Sequence, residues 1–153
     1  MPAFRTQKTV PHSAEEMFAL VADVEHYPEF LPLCESINIK RRFKNDAELD
    51  VFISEMVVGY KAISECLTTR VTADKDNLHI LVEYVDGPFR HLENHWRFKD
   101  EEGGCLVDFY ITYEFKNFAL GVLMGSVFDK AFRRFVTAFE DRADKLYSKR
   151  TKS

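Results

Sequence analysis

Three polar side chains with the chemistry of metal ligands alternate along one short stretch of this chain. His91, Glu93 and His95 form an H-x-E-x-H series, and imidazole with carboxylate is a ligand set that Zn²⁺ accepts. In an extended strand, however, alternate residues share a face while lying about 6.5 to 7 Å apart. The apolar residues between them take the opposite face, which leaves the trio in solvent. The pattern therefore favours a solvated polar face over a metal site.

Covalent and acid–base catalysis leave no comparable signature in the sequence. It contains no G-x-S-x-G motif and no glycine-rich phosphate loop. Gly121 and Gly125 fall in a helical stretch, where their spacing permits another group to pack closely. Strand alternation turns Tyr113 and Asn94 inward, and neither is a convincing general base. These residues favour a protein without enzymatic activity and leave a cyclase- or hydrolase-type enzyme as an alternative.

Asn94 stands out because strand alternation places it with Leu92, Trp96 and Phe98 on the apolar face. A buried amide left unpaired costs about 1 to 3 kcal/mol, so Asn94 requires a hydrogen-bond partner. Two interpretations remain open at this point. The amide bonds either to a neighbouring backbone or side-chain group, or to a carbonyl or hydroxyl group of a bound apolar ligand.

The elements that must position these residues follow from the hydrophobic periodicity. A strand is predicted over residues 3–10, followed by a helix that begins at the capping box of Ser13 and Glu16 and ends near Glu25. Six antiparallel strands are predicted between residues 37 and 116, and a long helix over about residues 118–148. Strands set apart from helices indicate one α+β domain over residues 1–153. A curved sheet covered by the long helix would enclose an apolar cavity.

Composition and cysteine usage bear on the surroundings of the protein. Fourteen Phe accompany one Trp and six Tyr, which would fill a core or line a cavity. The three cysteines show no CxxC pair, as expected in a reducing compartment. The uncharged apolar run at 117–128 is shorter than the roughly 20 residues that span a bilayer. We therefore expect a cytoplasmic protein that makes peripheral contact with the inner face of the membrane.

Charge is distributed unevenly along the chain. The net charge is -4, yet Lys and Arg outnumber Asp and Glu by eight to three within residues 130–152. A basic helix end attracts anionic lipid or RNA. It is equally the arrangement that the helix dipole favours on a solvated face. A second basic stretch at residues 40–44 also fits a binding patch or a solvated strand edge.

The stretch HYPEFLPLC, residues 26–34, is apolar although its two prolines rule out a continuous helix or a central strand. Loops usually run over the surface and are polar. Phe30 and Leu31 would therefore either plug the core or form a lid that touches a ligand or a membrane.

Four groups of residues in a fixed order carry a family resemblance: Tyr27-Pro28-x-Phe30-Leu31-Pro32; Asp86-Gly87-Pro88-Phe89 with Leu92 and Trp96-x-Phe98; Asp108-Phe109 leading to Tyr113-Glu114-Phe115; and, in the final helix, Phe128, Phe132, Phe139, Arg142, Ala143 and Tyr147. Together they cover nearly the whole chain. They resemble the coenzyme Q-binding START-like family of the polyketide cyclase/dehydrase superfamily. The same family includes a bacterial ribosome-association toxin.

The resemblance implies a helix-grip (START/Bet v 1-like) fold, in which a curved antiparallel sheet wraps around a long C-terminal helix. It also implies that ubiquinone binds in a hydrophobic cavity and supports respiratory electron transfer, with no catalytic residue, catalytic cofactor or metal. The residues expected to contact the quinone are Phe30, Leu31, Asn94, Trp96, Phe98, Phe109, Ile111, Tyr113, Leu123, Val127, Phe128, Phe132 and Phe135.

The alternative within the same family is a ribosome-directed protein that binds a ribosomal subunit. That interpretation predicts salt-dependent binding through Arg133, Arg134 or Arg142. The acidic overall charge favours the quinone branch.

Overall fold

A strand and a helix come first in the chain, six consecutive strands follow, and one long helix comes after them. The computed structural model describes residues 2–151, with side chains described for residues 2–147. In chain order the elements are β1 (Ala3–Val10), α1 (Ala14–Ala22), a 3₁₀ helix (Val24–Glu29), β2 (Cys34–Lys44), β3 (Asp50–Tyr60), β4 (Ile63–Asp74), β5 (His79–Asp86), β6 (Phe89–Glu101), β7 (Gly104–Phe115) and α2 (Phe118–Thr151).

The strands form one antiparallel sheet with the order β1-β7-β6-β5-β4-β3-β2. The predicted run of six strands is confirmed as β2 to β7, and β1 pairs with β7 through partners such as Phe4 and Ile111. Register shifts interrupt β2 between Ile39 and Arg41 and β6 between Phe89 and His91. Such irregularities bend and twist a sheet. The sheet and α2 form the α+β helix-grip fold that the resemblance implies.

Strands β6 and β7 show the clearest link between sequence and burial. Every second residue of β7 from Cys105 to Tyr113 is buried, while residues such as Asp108 face outward. The same alternation in β6 buries Trp96 and Asn94 and turns His95 to the other face. Period-2 patterning therefore fixes which side of the sheet meets the helices.

Helix α1 begins at the predicted capping box. The Ser13 side chain accepts a hydrogen bond from the Glu16 backbone N–H, and the Glu16 carboxylate accepts one from the Ser13 backbone N–H. The helix ends at Ala22, a turn earlier than its predicted end near Glu25, and a 3₁₀ helix that contains Pro28 follows. Residues 23–33, which we call the connecting segment, lead from there to β2.

Helix α2 lies against the concave face of the sheet and confirms the predicted C-terminal helix. Its buried side includes Met124, Phe128, Phe132, Val136 and Phe139. The predicted close packing at its two glycines is wrong, because a side chain added at Gly125 would meet no atom within 4 Å and one at Gly121 would make only ordinary contact.

The helices and the basic C-terminal segment bear on contact with a membrane or RNA. Among the described residues, neither helix has the length and apolar character needed to cross a bilayer. Lys149, Arg150 and Lys152 of the predicted basic segment lie outside the residues whose side chains are described.

Candidate functional site

An enclosed apolar cavity lies between the concave face of the sheet, helix α2 and the connecting segment. Its volume is about 100 Å³, and its wall is overwhelmingly apolar. The wall comprises Val24, Tyr27, Leu31, Pro32, Leu33, Ile37, Ser54, Met56, Val58, Leu67, Thr69, Val71, Val82, Phe89, Leu92, Asn94, Trp96, Ile111, Phe128, Phe132, Phe135 and Phe139. The sheet, the helix and the segment each supply part of it, so the folded chain is required to form it.

The predicted ligand-contact residues divide into two groups. Those on the cavity wall are Leu31, Asn94, Trp96, Ile111, Phe128, Phe132 and Phe135. Those away from the wall are Phe30, Phe98, Phe109, Tyr113, Leu123 and Val127. The structure thus brings about half of the predicted set together, and their contact with a ligand stays a prediction.

Phe98 and Phe109, two buried aromatic residues of the second group, pack against Trp96 of the cavity wall. The Phe98 ring stacks on the Trp96 indole with ring centroids 6.2 Å apart. Phe109 meets the same indole edge-on at 4.7 Å. Strand alternation correctly placed both side chains on the concave face. It could not tell how far along each strand the cavity extends, because α1 covers part of that face and Phe18 packs on Phe98.

Leu123, Val127 and Tyr113 of the second group lie on α2 or next to it, away from the cavity wall. Leu123 is 60% exposed, so its predicted position on the cavity wall is wrong. Met124 takes the buried side of this turn instead, because two neighbouring apolar stripes run along the start of α2 and only one faces the sheet. Val127 is partly buried next to that stripe. Tyr113 is buried against Phe132, with ring centroids 5.2 Å apart.

Three neutral polar side chains interrupt the apolar wall. Asn94 is buried, and its Nδ2 donates a hydrogen bond to the backbone oxygen of Tyr110 at 3.0 Å. The expected partner is therefore a neighbouring backbone group. The Ser54 and Thr69 hydroxyl oxygens lie 3.2 Å apart, in residues directly opposite each other on β3 and β4.

Ser54 and Thr69 are absent from the residues predicted to contact the ligand, although their positions in the strands carry a signal. Ser54 shares strand parity with buried Phe52 and Val58, and Thr69 shares it with Leu67 and Val71. Applying to β3 and β4 the parity argument used for Asn94 would have found both hydroxyl groups. Their pairing satisfies two polar groups inside an apolar space.

The cavity wall offers hydrogen bonds but little acid–base chemistry. Tyr27 is buried, and its hydroxyl donates a hydrogen bond to the backbone oxygen of Val21. Burial is the main reason that its pKa is raised above the ordinary value, with smaller contributions from Cys34 and Asp23. Among the residues whose side chains are described, those that line the cavity include no carboxylate, histidine or lysine. The site can therefore enclose an apolar molecule and present neutral donors to it.

The H-x-E-x-H residues lie on the outer face of β6 and bond to different partners. His91 Nε2 lies 2.9 Å from the Thr112 hydroxyl, whereas His95 Nε2 lies 2.7 Å from the Glu93 carboxylate. The other nitrogen of His95 lies 2.9 Å from His79 Nε2. Within the described part of the chain, no three His, Cys, Asp or Glu side chains are grouped to hold a metal ion.

Of the nine cations in the predicted basic patches whose side chains are described, five pair with carboxylates. In the 40–44 stretch, Lys40, Arg42 and Lys44 pair with Glu55, Glu25 and Asp50. On α2, Arg133 pairs with Asp129 and Arg142 with Glu29. The exposed basic residues on the solvent side of this helix include Lys130, Arg134 and Lys145.

Comparison with known proteins adds a family and its range of functions. A family model described as polyketide cyclase / dehydrase and lipid transport matches residues 10–140. The chain is 35% identical to ribosome association toxin RatA of Escherichia coli K12, over 98% of this chain and 92% of the toxin. It is 30% identical to coenzyme Q-binding protein COQ10 homolog B, mitochondrial, of Xenopus laevis, over 95% of this chain and 59% of that protein.

A solved structure supports the same fold assignment. A START superfamily protein from Mycobacterium smegmatis superposes with a TM-score of 0.77 at 19% identity, covering 94% of this chain and 98% of the other. At that identity the likeness concerns the fold alone.

Proposed function

Because this chain belongs to the polyketide cyclase/dehydrase and lipid transport family, we propose that it binds a lipid quinone, ubiquinone, in its cavity. The bound quinone would support respiratory electron transfer, or the protein would deliver quinone within cellular respiration. The observation that carries the proposal is an internal apolar cavity whose polar groups include the neutral Ser54, Thr69 and Asn94. Similarity to a coenzyme Q-binding protein favours quinone over other apolar ligands.

The chemistry of the wall suits the two parts of a lipid quinone. Each methylene group buried from water contributes about 0.8 kcal/mol, so the isoprenoid tail would dominate affinity. Quinone oxygens accept hydrogen bonds, and the Asn94 amide or the hydroxyl groups of Ser54 and Thr69 can donate them. The polar groups would then orient the head while the apolar wall holds the tail.

We further propose that the protein acts without catalysis and without a catalytic cofactor or metal. General acid–base catalysis needs a group that titrates near the operating pH and reaches the substrate. Tyr27 is the titratable phenol on the wall, and burial raises its pKa further from neutrality. A cyclase- or hydrolase-type reaction in this cavity would thus lack a proton acceptor.

The test of quinone binding uses the protein itself as reporter. Trp96 is the one tryptophan of the chain and lies on the cavity wall, so a quinone that enters should quench its fluorescence. Protein purified from its native host should also release ubiquinone into organic solvent, as measured by mass spectrometry. Absence of ubiquinone in the extract, together with unchanged fluorescence on titration with decylubiquinone, would refute the proposal.

A peripheral membrane location fits a protein that exchanges an insoluble ligand. The start of α2 exposes Phe118, Val122 and Leu123, with Phe118 87% exposed. Apolar side chains on a helix end can enter the headgroup region of a bilayer. We propose that this protein is cytoplasmic and contacts the inner face of the membrane through these residues.

Ribosome association is the second candidate function, favoured by 35% identity to a ribosome association toxin over 98% of this chain. The exposed cations Lys130, Arg134 and Lys145 would supply the contacts to RNA phosphates. Of the three arginines predicted to serve this role, Arg134 is the best placed, because Arg133 and Arg142 already pair with carboxylates.

Co-sedimentation with ribosomal subunits at low and high salt tests this second function. Arg134→Glu should weaken sedimentation, whereas Arg5→Glu on β1, which changes the net charge equally, should not. Equal sedimentation of wild type and Arg134→Glu, or no sedimentation of either at low salt, would exclude the contact.

A further inference from the structure

The connecting segment closes one side of the cavity. Its residues Leu31, Pro32 and Leu33 belong to the cavity wall, and Leu31 is buried. The volume enclosed behind them is about 100 Å³, whereas pockets that hold drug-sized ligands measure roughly 300 to 1,000 Å³. A lipid quinone therefore cannot fit unless part of the wall moves.

The connecting segment is the part of the wall with the weakest backbone support. The sheet strands and α2 are continuous hydrogen-bonded elements. The segment instead consists of a short 3₁₀ helix with Pro28 inside it and an irregular stretch after it. The Leu33 oxygen accepts a hydrogen bond from the Gly59 N–H at 3.0 Å, which ties the segment's end to β3.

The backbone of Leu33 adds a sign of strain. Its φ angle is +69°, in the left-handed region that side chains other than glycine rarely adopt. Residues held in such conformations cluster at ligand clamps and switches. A strained residue at the junction of the segment and β2 provides a point where the chain can pivot.

Side chains of α2 supply the main restraint on the closed position. Arg142 Nη2 donates a hydrogen bond to the Glu29 carboxylate at 2.6 Å. The same guanidinium group lies over the Phe30 ring, 5.2 Å from its centroid. Phe30 in turn meets Phe139 edge-on at 5.1 Å. One arginine on the helix thus holds two successive residues of the segment.

The remaining donors of Arg142 include one that is buried. Its Nε is buried and has no hydrogen-bond partner in the described structure. The ion pair with Glu29 and the contact with Phe30 are then the interactions that fix the guanidinium group. Both are broken if the segment moves away from α2.

We propose that the connecting segment is a gate over the cavity and that Arg142 is the latch that holds it closed. The inference rests on the proposed function, because it assumes that an apolar ligand enters this cavity. Opening separates Glu29 and Phe30 from α2 and frees the space now filled by Leu31 and Leu33. Reclosing around the ligand restores the ion pair.

A measurement without ligand tests the latch directly. Burial raises the pKa of the Cys34 thiol to about 11, and this residue follows the segment at the start of β2. In a Cys66→Ser background, alkylation of Cys34 reports opening of the gate. Cys105, which is fully buried in β7, serves as an internal reference.

The variants separate the charge pair from the ring contact. Glu29→Gln removes the pair and should accelerate Cys34 alkylation roughly 3-fold, as expected for a partly exposed ion pair. Arg142→Gln also removes the cation–π contact and should accelerate it roughly 10-fold. Arg133→Gln breaks a comparable ion pair on the same helix and should leave the rate unchanged. The exchange Glu29→Arg with Arg142→Glu restores the ion pair but not the contact with Phe30, so it should alkylate more slowly than Arg142→Gln.

Stopped-flow quenching of Trp96 by decylubiquinone gives the second readout. Glu29→Gln should raise the association and dissociation rates together by the same factor as Cys34 alkylation, with Kd nearly unchanged. Salt, which weakens an exposed ion pair, should speed the wild type toward the variant. Unchanged rates in Glu29→Gln with quenching intact would overturn the latch. Absence of quenching in the wild type would overturn quinone binding, and alkylation would still decide the latch.

Discussion

The replacement of Asn94 by leucine separates a structural role of this amide from a role in orienting a ligand. In the structure, Asn94 Nδ2 donates to the Tyr110 backbone oxygen at 3.0 Å and the side chain also faces the cavity. Leucine has the same number and branching of side-chain heavy atoms and removes both hydrogen-bonding groups. We expect Asn94→Leu to fold and to weaken quinone binding.

The expected changes in Kd and in the free energy of unfolding follow from the hydrogen bonds that the substitution removes. A neutral hydrogen bond contributes a net 0.5 to 1.5 kcal/mol, or about a 2- to 13-fold change in Kd. The same range applies to the lost bond to Tyr110, which apolar burial of the leucine side chain partly offsets. The free energy of unfolding should therefore change by about 1 kcal/mol or less.

The assay compares two probes in the wild type and the variant. Decylubiquinone carries carbonyl oxygens, whereas decylbenzene has a tail of the same length and no acceptor. Quenching of Trp96 gives Kd for the first, and displacement of the first by the second gives Kd for the other. If Asn94 orients a quinone, only decylubiquinone binding weakens.

Either of two results would refute a role of Asn94 in orienting the quinone. Equal weakening for both probes would mean that Asn94 acts only through Tyr110 and the shape of the sheet. Unchanged affinity for both would mean that the quinone head does not approach β6. Either result would exclude Asn94 as a donor to the quinone and leave affinity to tail burial and the hydroxyl groups of Ser54 and Thr69.

Three further predictions concern the gate, the exposed helix end and the thiols. Phe30→Ala loses ring contacts worth about 0.5 to 1.5 kcal/mol each. The variant should fold normally yet lose quinone at least tenfold faster than the wild type during gel filtration. Unchanged retention of quinone would mean that Phe30 only fills the core. Leu123→Glu should reduce flotation with phosphatidylcholine vesicles, whereas Leu146→Glu, at a site of comparable exposure on the same helix, should not. Equal flotation of the two variants would place the membrane contact elsewhere. Burial raises the pKa of Cys34 and Cys105 from the ordinary 9.0 to about 11. Because the thiols ionise first in the unfolded chain, the stability they contribute is present below about pH 9 and lost as pH rises toward 11. Urea unfolding should show a smaller loss from pH 9 to 11 in Cys105→Ala than in the wild type, and an identical loss would contradict the assigned cause.

The fold was largely predictable because its signals are local. Alternation along β7 from Cys105 to Tyr113 fixes a half-buried strand without knowledge of its neighbours. The capping box of Ser13 and Glu16 fixes the start of α1 in the same way. The end of α1 was less accurate, because the change to a 3₁₀ helix before Pro28 depends on contacts between the segment and α2.

The site was predictable only in part because a cavity is a long-range property. Parity assigned Phe109 to the correct face, but the packing of neighbouring aromatic rings decides that Trp96 and not Phe109 meets the open space. Helical spacing could not choose between Leu123 and Met124, since the choice depends on the angle at which α2 crosses the sheet. The latch between Glu29 and Arg142 joins residues far apart in sequence, so no local sequence pattern predicts this ion pair.

The two candidate functions use opposite sides of the same helix, so they can be separated experimentally. Phe128 and Phe132 of α2 face the cavity, whereas Lys130 and Arg134, each two residues beyond one of them, are exposed to solvent. Val71→Phe on the far wall should fill the cavity at a cost of about 1 to 3 kcal/mol in stability, and abolish quenching of Trp96. It should leave co-sedimentation with ribosomal subunits unchanged, and Arg134→Glu should have the reverse effects. Loss of both activities in folded Val71→Phe would instead mean that ribosome binding requires the ligand-filled cavity, because the substituted side chain cannot reach the solvent face of α2.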